Sequence, residues 1–112
     1  MKVHIKNIAV GGGSPLVLIA GPCVVESRDL IFRTAEALRR ITQRLDIPLI
    51  FKASYKKANR TSNSSFSGLG DEKALAILAE AKREFDIPVL TDIHVPDEAS
   101  IAAEVADVLQ IP

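Results

Sequence analysis

Two short apolar runs open the chain, Val3 to Ile5 and Ile8 to Val10, with Lys6-Asn7 between them and Gly11-Gly12-Gly13 behind them. That punctuation predicts a small hairpin. Leu16 to Ala20 is then a nearly continuous apolar run stopped by Gly21-Pro22, as expected for a strand buried on both faces. Ser27 offers an N-cap to a helix whose apolar residues Leu30, Ile31, Ala35, Leu38, Ile41 and Leu45 recur at helical spacing. Pro48 to Ala53 reads as the next strand. Asp71 to Phe85 is a second amphipathic helix, with Leu75, Leu78, Ala81 and Phe85 on one face.

The pattern then repeats. Pro88 to Asp92 is a further strand, Asp97 to Val105 a short helix and Asp107 to Ile111 a fourth strand after the hairpin. Asp-Ile-Pro occurs twice, at 46–48 and 86–88, each time ending a helix and starting a strand. Strands alternating with helices predict an α/β fold with parallel strands and helical crossovers. A closed (β/α)8 TIM barrel takes about 250 residues. The chain therefore reads as the N-terminal part of a single barrel domain in a longer protein: 1–13 the hairpin, 14–112 the first four strands and their helices.

Composition adds limits. The chain has 112 residues, 47% hydrophobic and 25% charged, which suits one modest soluble core. Lys+Arg 14 balances Asp+Glu 14, so no overall field argues for nucleic acid or an anionic membrane. Apolar runs fall well short of the roughly 20 residues that span a bilayer, and the start resembles no signal peptide. A single cysteine, Cys23, makes no internal disulfide. The expected location is the reducing cytoplasm.

Charge is concentrated locally in Phe51 to Gly70, where Lys52, Lys56, Lys57 and Arg60 interleave with Ser54, Asn59, Thr61, Ser62, Ser64 and Ser65 and no carboxylate intervenes. Ammonium, guanidinium and hydroxyl donors brought together suit phosphate or carboxylate anions; an isolated cluster of this kind is also what a solvated basic loop looks like. Position favours the first reading. In parallel α/β folds the loops leaving the carboxyl ends of the strands carry the site, and Cys23, the 52–65 segment, Asp92 with His94, and Gln110 all fall at or just beyond a predicted strand end. Cys23 itself is open to three readings, a thiolate metal ligand, a nucleophile or a small buried hydrophobe. His94 after its strand reads as a supporting or solvent-facing residue, and His4 lies in the hairpin.

These residues carry a resemblance. IAGPCVVES (Ile19 to Ser27), FKASYKKANRTS (Phe51 to Ser62), the SFSGLG that follows, PVLTDIH (Pro88 to His94) and ADVLQIP (Ala106 to Pro112) resemble, in order and spacing, the first half of the 3-deoxy-D-manno-octulosonate 8-phosphate (Kdo 8-phosphate) synthases. The resemblance implies a (β/α)8 barrel closed below by a hairpin, a homotetramer, and condensation of phosphoenolpyruvate with D-arabinose 5-phosphate in lipopolysaccharide Kdo biosynthesis. It implies that Lys52, Ser54 and Lys57 hold phosphoenolpyruvate with Gln110 near its carboxylate or phosphate. Lys57 would lie between the substrates, Asn59 would meet the sugar hydroxyls, Arg60 with Thr61 or Ser62 would bind the 5-phosphate, and Asp92 would belong to the polar network beneath. Lys57 and Asn59 would be the catalytic pair.

Cysteine at position 23 further implies the metal-dependent branch, with a divalent transition metal (zinc, iron or manganese) held by Cys23 and by a histidine, a glutamate and an aspartate from later strands. The chain departs from the family at Lys56, where aspartate is frequent, at Asn63-Ser64-Ser65, and at Ser67, near which an arginine is expected. The related 3-deoxy-D-arabino-heptulosonate 7-phosphate synthases, which use erythrose 4-phosphate, share the Gly-Pro-Cys turn but typically read KPRT where this chain reads KANRT. The reading of another class is a noncatalytic anion-binding fragment, and the 112 residues alone are expected to be inactive and to leave strand edges open.

Overall fold

The hairpin forms from β1 (Lys2–Ile5) and β2 (Ile8–Gly11), antiparallel with Ile5 opposite Ile8. Lys6 takes the left-handed conformation, φ 53°, that so tight a two-residue connection demands. The computed structural model describes residues 1–56 and 70–112. Beyond the hairpin come β3 (Leu18–Ala20), α1 (Arg28–Leu45), β4 (Leu49–Lys52), α2 (Asp71–Phe85), β5 (Val89–Asp92), α3 (Ala99–Ala103) and β6 (Val108–Gln110). A 3-10 turn over Pro96–Glu98 leads into α3, so the helix expected from Asp97 begins later, behind Pro96.

Four strands form one parallel sheet in the order β3-β4-β5-β6, each added beside its predecessor. Among the described residues the sheet is open, a parallel α/β layer and not a closed barrel. The two Asp-Ile-Pro phrases act alike. Asp46 and Asp86 adopt the left-handed conformation, φ 56° and 51°, as C-caps of α1 and α2, and the proline two residues on cannot continue the helix. At the other end of α1 the Ser27 side chain accepts the Leu30 amide at 3.1 Å, the expected cap.

Alternation along the strands separates two faces. Leu49, Phe51, Ala53 and Tyr55, with Val89 and Ile93, are buried in one cluster with Ile31, Ala35, Ala74, Leu75, Ile77, Leu78 and Ala81 of the helices. Ile50, Lys52 and Ser54, Leu90 and Asp92, and Val108 and Gln110 take the other face by register. That face is apolar at Ile50 and Leu90 and turns polar one step further along, at Lys52, Asp92 and Gln110.

Two sequence expectations need correction. The run Leu16 to Ala20 is not a strand buried on both faces: only Leu18–Ala20 is strand, and Ile19 is 50% exposed, because β3 pairs only with β4 here. On α1, Ile41 (43% exposed) and Leu45 leave the core while Thr42 is buried, its hydroxyl donating to the Leu38 carbonyl at 2.9 Å. The buried stripe runs Ile31, Ala35, Leu38, Thr42, and Ile41 sits about 100° behind Thr42 around the helix. Among the described residues no helix is long and apolar enough to cross a membrane.

Candidate functional site

Gly21 governs how the rim is built. Its backbone runs so close to β4 that a Cβ there would overlap the Lys52 carbonyl oxygen and stand 2.7 Å from the carbonyl carbon. Only glycine fits, for reasons of space and not of a left-handed φ. Just beyond it the Ser54 amide donates to the Cys23 carbonyl at 3.2 Å and the Val25 amide to the Ser54 carbonyl at 2.9 Å, so pairing of the two strands resumes past the turn. Cys23 is thereby fixed at the rim, exposed and unpaired with any other thiol.

Asp92, the last residue of β5 and only 9% exposed, ties two strand ends together. One carboxylate oxygen accepts the Ser54 hydroxyl and the other meets His94 Nε2 at 2.8 Å. The buried Thr91 hydroxyl donates to the Ala53 carbonyl at 2.8 Å, a second tie between the same strands. Gln110 stands beside Asp92 in the parallel register, and its carbonyl accepts the Ile93 amide at 3.1 Å. Four of the residues singled out from sequence, Lys52, Ser54, Asp92 and Gln110, therefore share the non-helical face of the sheet at its C-terminal edge. Lys57, Asn59, Arg60, Thr61 and Ser62 lie outside the described residues.

Lys56 is paired with two carboxylates. Its Nζ is 2.7 Å from Glu98 Oε2 and 3.0 Å from Asp71 Oδ2, and these two carboxylates push its pKa up. Glu98 is held correspondingly low, at about 2 against an ordinary 4.5, first by the Lys56 hydrogen bond and then by the His94 amide. Its Oε1 accepts that amide at 2.7 Å and the Val95 amide at 3.2 Å. Burial, reinforced by Glu98, raises the Tyr55 phenol. Sequence reasoning passed over Glu98 and Gly21. The signal for Glu98 was there, since a glutamate three residues after Val95 and behind a proline is what caps the start of a helical turn.

A metal finds one fitting ligand in Cys23, a thiol exposed at the mouth of a polar rim. Among the described residues no group of three or more His, Cys, Asp or Glu side chains stands close enough to complete a site. His94 is already engaged by Asp92. A groove of about 330 Å³ beside the rim is lined by Ile93, His94, Val95 and Ile111. A larger one, about 400 Å³, lies at the opposite end of the sheet beside Lys6, Lys82 and Asp86, away from these polar residues.

A parallel α/β sheet that gathers polar side chains at the carboxyl ends of successive strands has the layout in which such folds carry their sites. The whole chain, residues 1–112, matches the DAHP synthetase I family, and it belongs to that family. Among similar curated proteins is the 2-dehydro-3-deoxyphosphooctonate aldolase of Geobacter metallireducens, 52% identical over 111 residues, which are 99% of this chain and 41% of that protein. The proteins of the same name from Variovorax paradoxus and Rickettsia felis are 56% identical over 103 residues (92% of this chain, 36% of that protein) and 49% over 110 (98% and 40%). The chain spans about two fifths of the length of the curated relatives it matches.

Proposed function

We propose that the protein to which these residues belong condenses phosphoenolpyruvate with D-arabinose 5-phosphate to Kdo 8-phosphate and inorganic phosphate, a step toward the Kdo sugar of lipopolysaccharide. The observation that carries this reading is the 49 to 56% identity, over nearly the whole chain, to proteins named for the phosphooctonate product. The family's own name favours the erythrose 4-phosphate reaction as the second reading. Against it stands Asn59 before Arg60, where that group typically carries proline.

In this reading the chain supplies the first half of a (β/α)8 barrel, with 1–13 the hairpin and 14–112 the first four strands, in a cytoplasmic homotetramer. The exposed apolar residues Ile19 and Ile111 at the two ends of the sheet suit a layer continued by further chain. The stretch alone would be inactive.

The condensation joins C3 of the enol to the aldehyde carbon, adds the oxygen of water at C2 and expels phosphate. Two polyanions repel, so cations must lie between them to hold the reacting carbons at near-attack distance. Lys52 and Ser54 hold phosphoenolpyruvate with Lys57, and Gln110 donates to its carboxylate or phosphate. Lys57 lies between the substrates, Asn59 orients the sugar hydroxyls, and Arg60 with Thr61 or Ser62 binds the 5-phosphate. Asp92 accepts a hydrogen bond from the Ser54 hydroxyl and so holds the side chain at the rim, and the hydroxyl turns from Asp92 to donate to phosphoenolpyruvate when that substrate binds. Charge developing on the departing phosphate and on the aldehyde oxygen is met by these same donors. A divalent transition metal, held by Cys23 with ligands from outside this chain, would supply Lewis-acid chemistry at the aldehyde or at water.

Turnover by the full-length protein tests the reading. Phosphate should be released from phosphoenolpyruvate with arabinose 5-phosphate and not with erythrose 4-phosphate; release with neither sugar would end it.

A further inference from the structure

We propose that His94 is a positioning residue that keeps Asp92 hydrogen-bonded while Ser54 turns from it to phosphoenolpyruvate, so that it governs affinity for that substrate without touching it; this rests on the condensation proposed above. Asp92 is 9% exposed, and among the described residues its carboxylate has two side-chain partners. One oxygen accepts the Ser54 hydroxyl, and the other faces His94 Nε2 at 2.8 Å. A carboxylate only accepts, so Nε2 carries the proton of that bond.

The imidazole is delivered to Asp92 by its own backbone. The Ile93 amide donates to the Gln110 carbonyl at 3.1 Å, the His94 amide to Glu98 Oε1 at 2.7 Å and the Val95 amide to the same oxygen at 3.2 Å. Three successive amides are thereby fixed, and the ring, 33% exposed, reaches back two residues along the chain. Ser54 has a single hydroxyl proton to give. Once it goes to phosphoenolpyruvate it is withdrawn from Asp92, and a largely buried carboxylate short of a donor is costly. His94 leaves Asp92 with a charge-assisted bond throughout the exchange. Without the imidazole, Asp92 competes with the substrate for the Ser54 proton, and binding must leave the carboxylate without a side-chain donor.

Titration calorimetry of the full-length protein with phosphoenolpyruvate reads the effect. His94→Ala should weaken binding about tenfold, the order of one hydrogen bond to a charged group. His94→Gln can place an amide N–H where Nε2 stands and should recover to within about threefold of wild type. His94→Asn, whose side chain is too short to do so, should behave like His94→Ala. In a Ser54→Ala background there is no proton to exchange, and His94→Ala should then add less than about twofold. If His94→Ala does not fold, His94→Asn set against His94→Gln carries the same readout. Unchanged binding in His94→Ala, no recovery in His94→Gln, or a loss of equal size with and without the Ser54 hydroxyl would overturn the inference. A wild-type protein that does not bind phosphoenolpyruvate would overturn the underlying reaction instead, and the role of His94 with it, before any variant is made.

Discussion

Gly21→Ala places a methyl group where the structure has the Lys52 carbonyl. The new carbon would overlap that oxygen, with the carbonyl carbon 2.7 Å and the amide nitrogen 3.0 Å away, all of it backbone with no rotamer to yield. Ordinary contact needs close to 3.5 Å, so β3 and β4 must part by on the order of 1 Å. The bonds flanking the contact, Leu18 to Pro48 at 2.9 Å and Ser54 to Cys23 at 3.2 Å, would stretch with it. Overpacking of this kind costs about 1–3 kcal/mol, and weakening two backbone bonds adds about 1 kcal/mol. Alanine's smaller unfolded-state entropy returns about 0.4–1 kcal/mol. The net expectation is a loss of about 2 kcal/mol, read as a lower urea midpoint at unchanged slope in the full-length protein. Activity should fall further than stability, since the displaced atoms carry Cys23 and Lys52. A variant within about 0.5 kcal/mol of wild type, with unchanged turnover, would refute the close approach of these strands.

Acid should remove the Glu98 contribution. A carboxylate whose folded pKa lies below its unfolded one stabilises fully above the ordinary 4.5 and loses that effect as pH falls toward about 2. The difference corresponds to at most about 3 kcal/mol, and screening at Lys56, 38% exposed, cuts it to on the order of 1 kcal/mol. Lys56→Met should flatten stability between those pH values, measured by denaturant titration at each pH; an unaltered slope would contradict the pairing. Asp92→Asn keeps an acceptor oxygen for only one of Ser54 and His94 and turns an amide N–H2 toward the other, which should cost about 1–3 kcal/mol, with KM for phosphoenolpyruvate raised; chemical unfolding and steady-state kinetics check both. Chelation should abolish turnover in the wild type, whereas a Cys23→Asn protein should be insensitive to chelators; activity indifferent to chelation would remove the metal from the account.

The order of elements was legible because the chain's periodicities are strong and its punctuation is chemical. Asp71 to Phe85 and the Ser27 cap match the observed α2 and the observed start of α1, and the twin Asp-Ile-Pro phrases match two left-handed caps. Where the reading missed, the cause was tertiary. An apolar run does not say how many neighbours its strand has, so Ile19 was expected inside and lies half exposed. Helical spacing does not say where a contact stripe drifts, so Ile41 was expected where Thr42 is buried. At the site, strand-end placement correctly brought Ser54, Asp92 and Gln110 to one edge. Lys56 was counted with the cations of the basic segment, and its pairing was hidden because its two carboxylate partners come from positions 71 and 98, distances in sequence that composition cannot pair. The steric demand at Gly21 was equally hidden, since glycine in a turn looks the same whether it is there for φ or for space.

The second substrate separates the two synthases. Phosphate release by the full-length protein, followed with phosphoenolpyruvate and either D-arabinose 5-phosphate or erythrose 4-phosphate, measures it directly. Turnover is expected with the five-carbon sugar phosphate and little with the four-carbon one; preference for erythrose 4-phosphate, or no turnover with either, would rule out Kdo 8-phosphate synthesis.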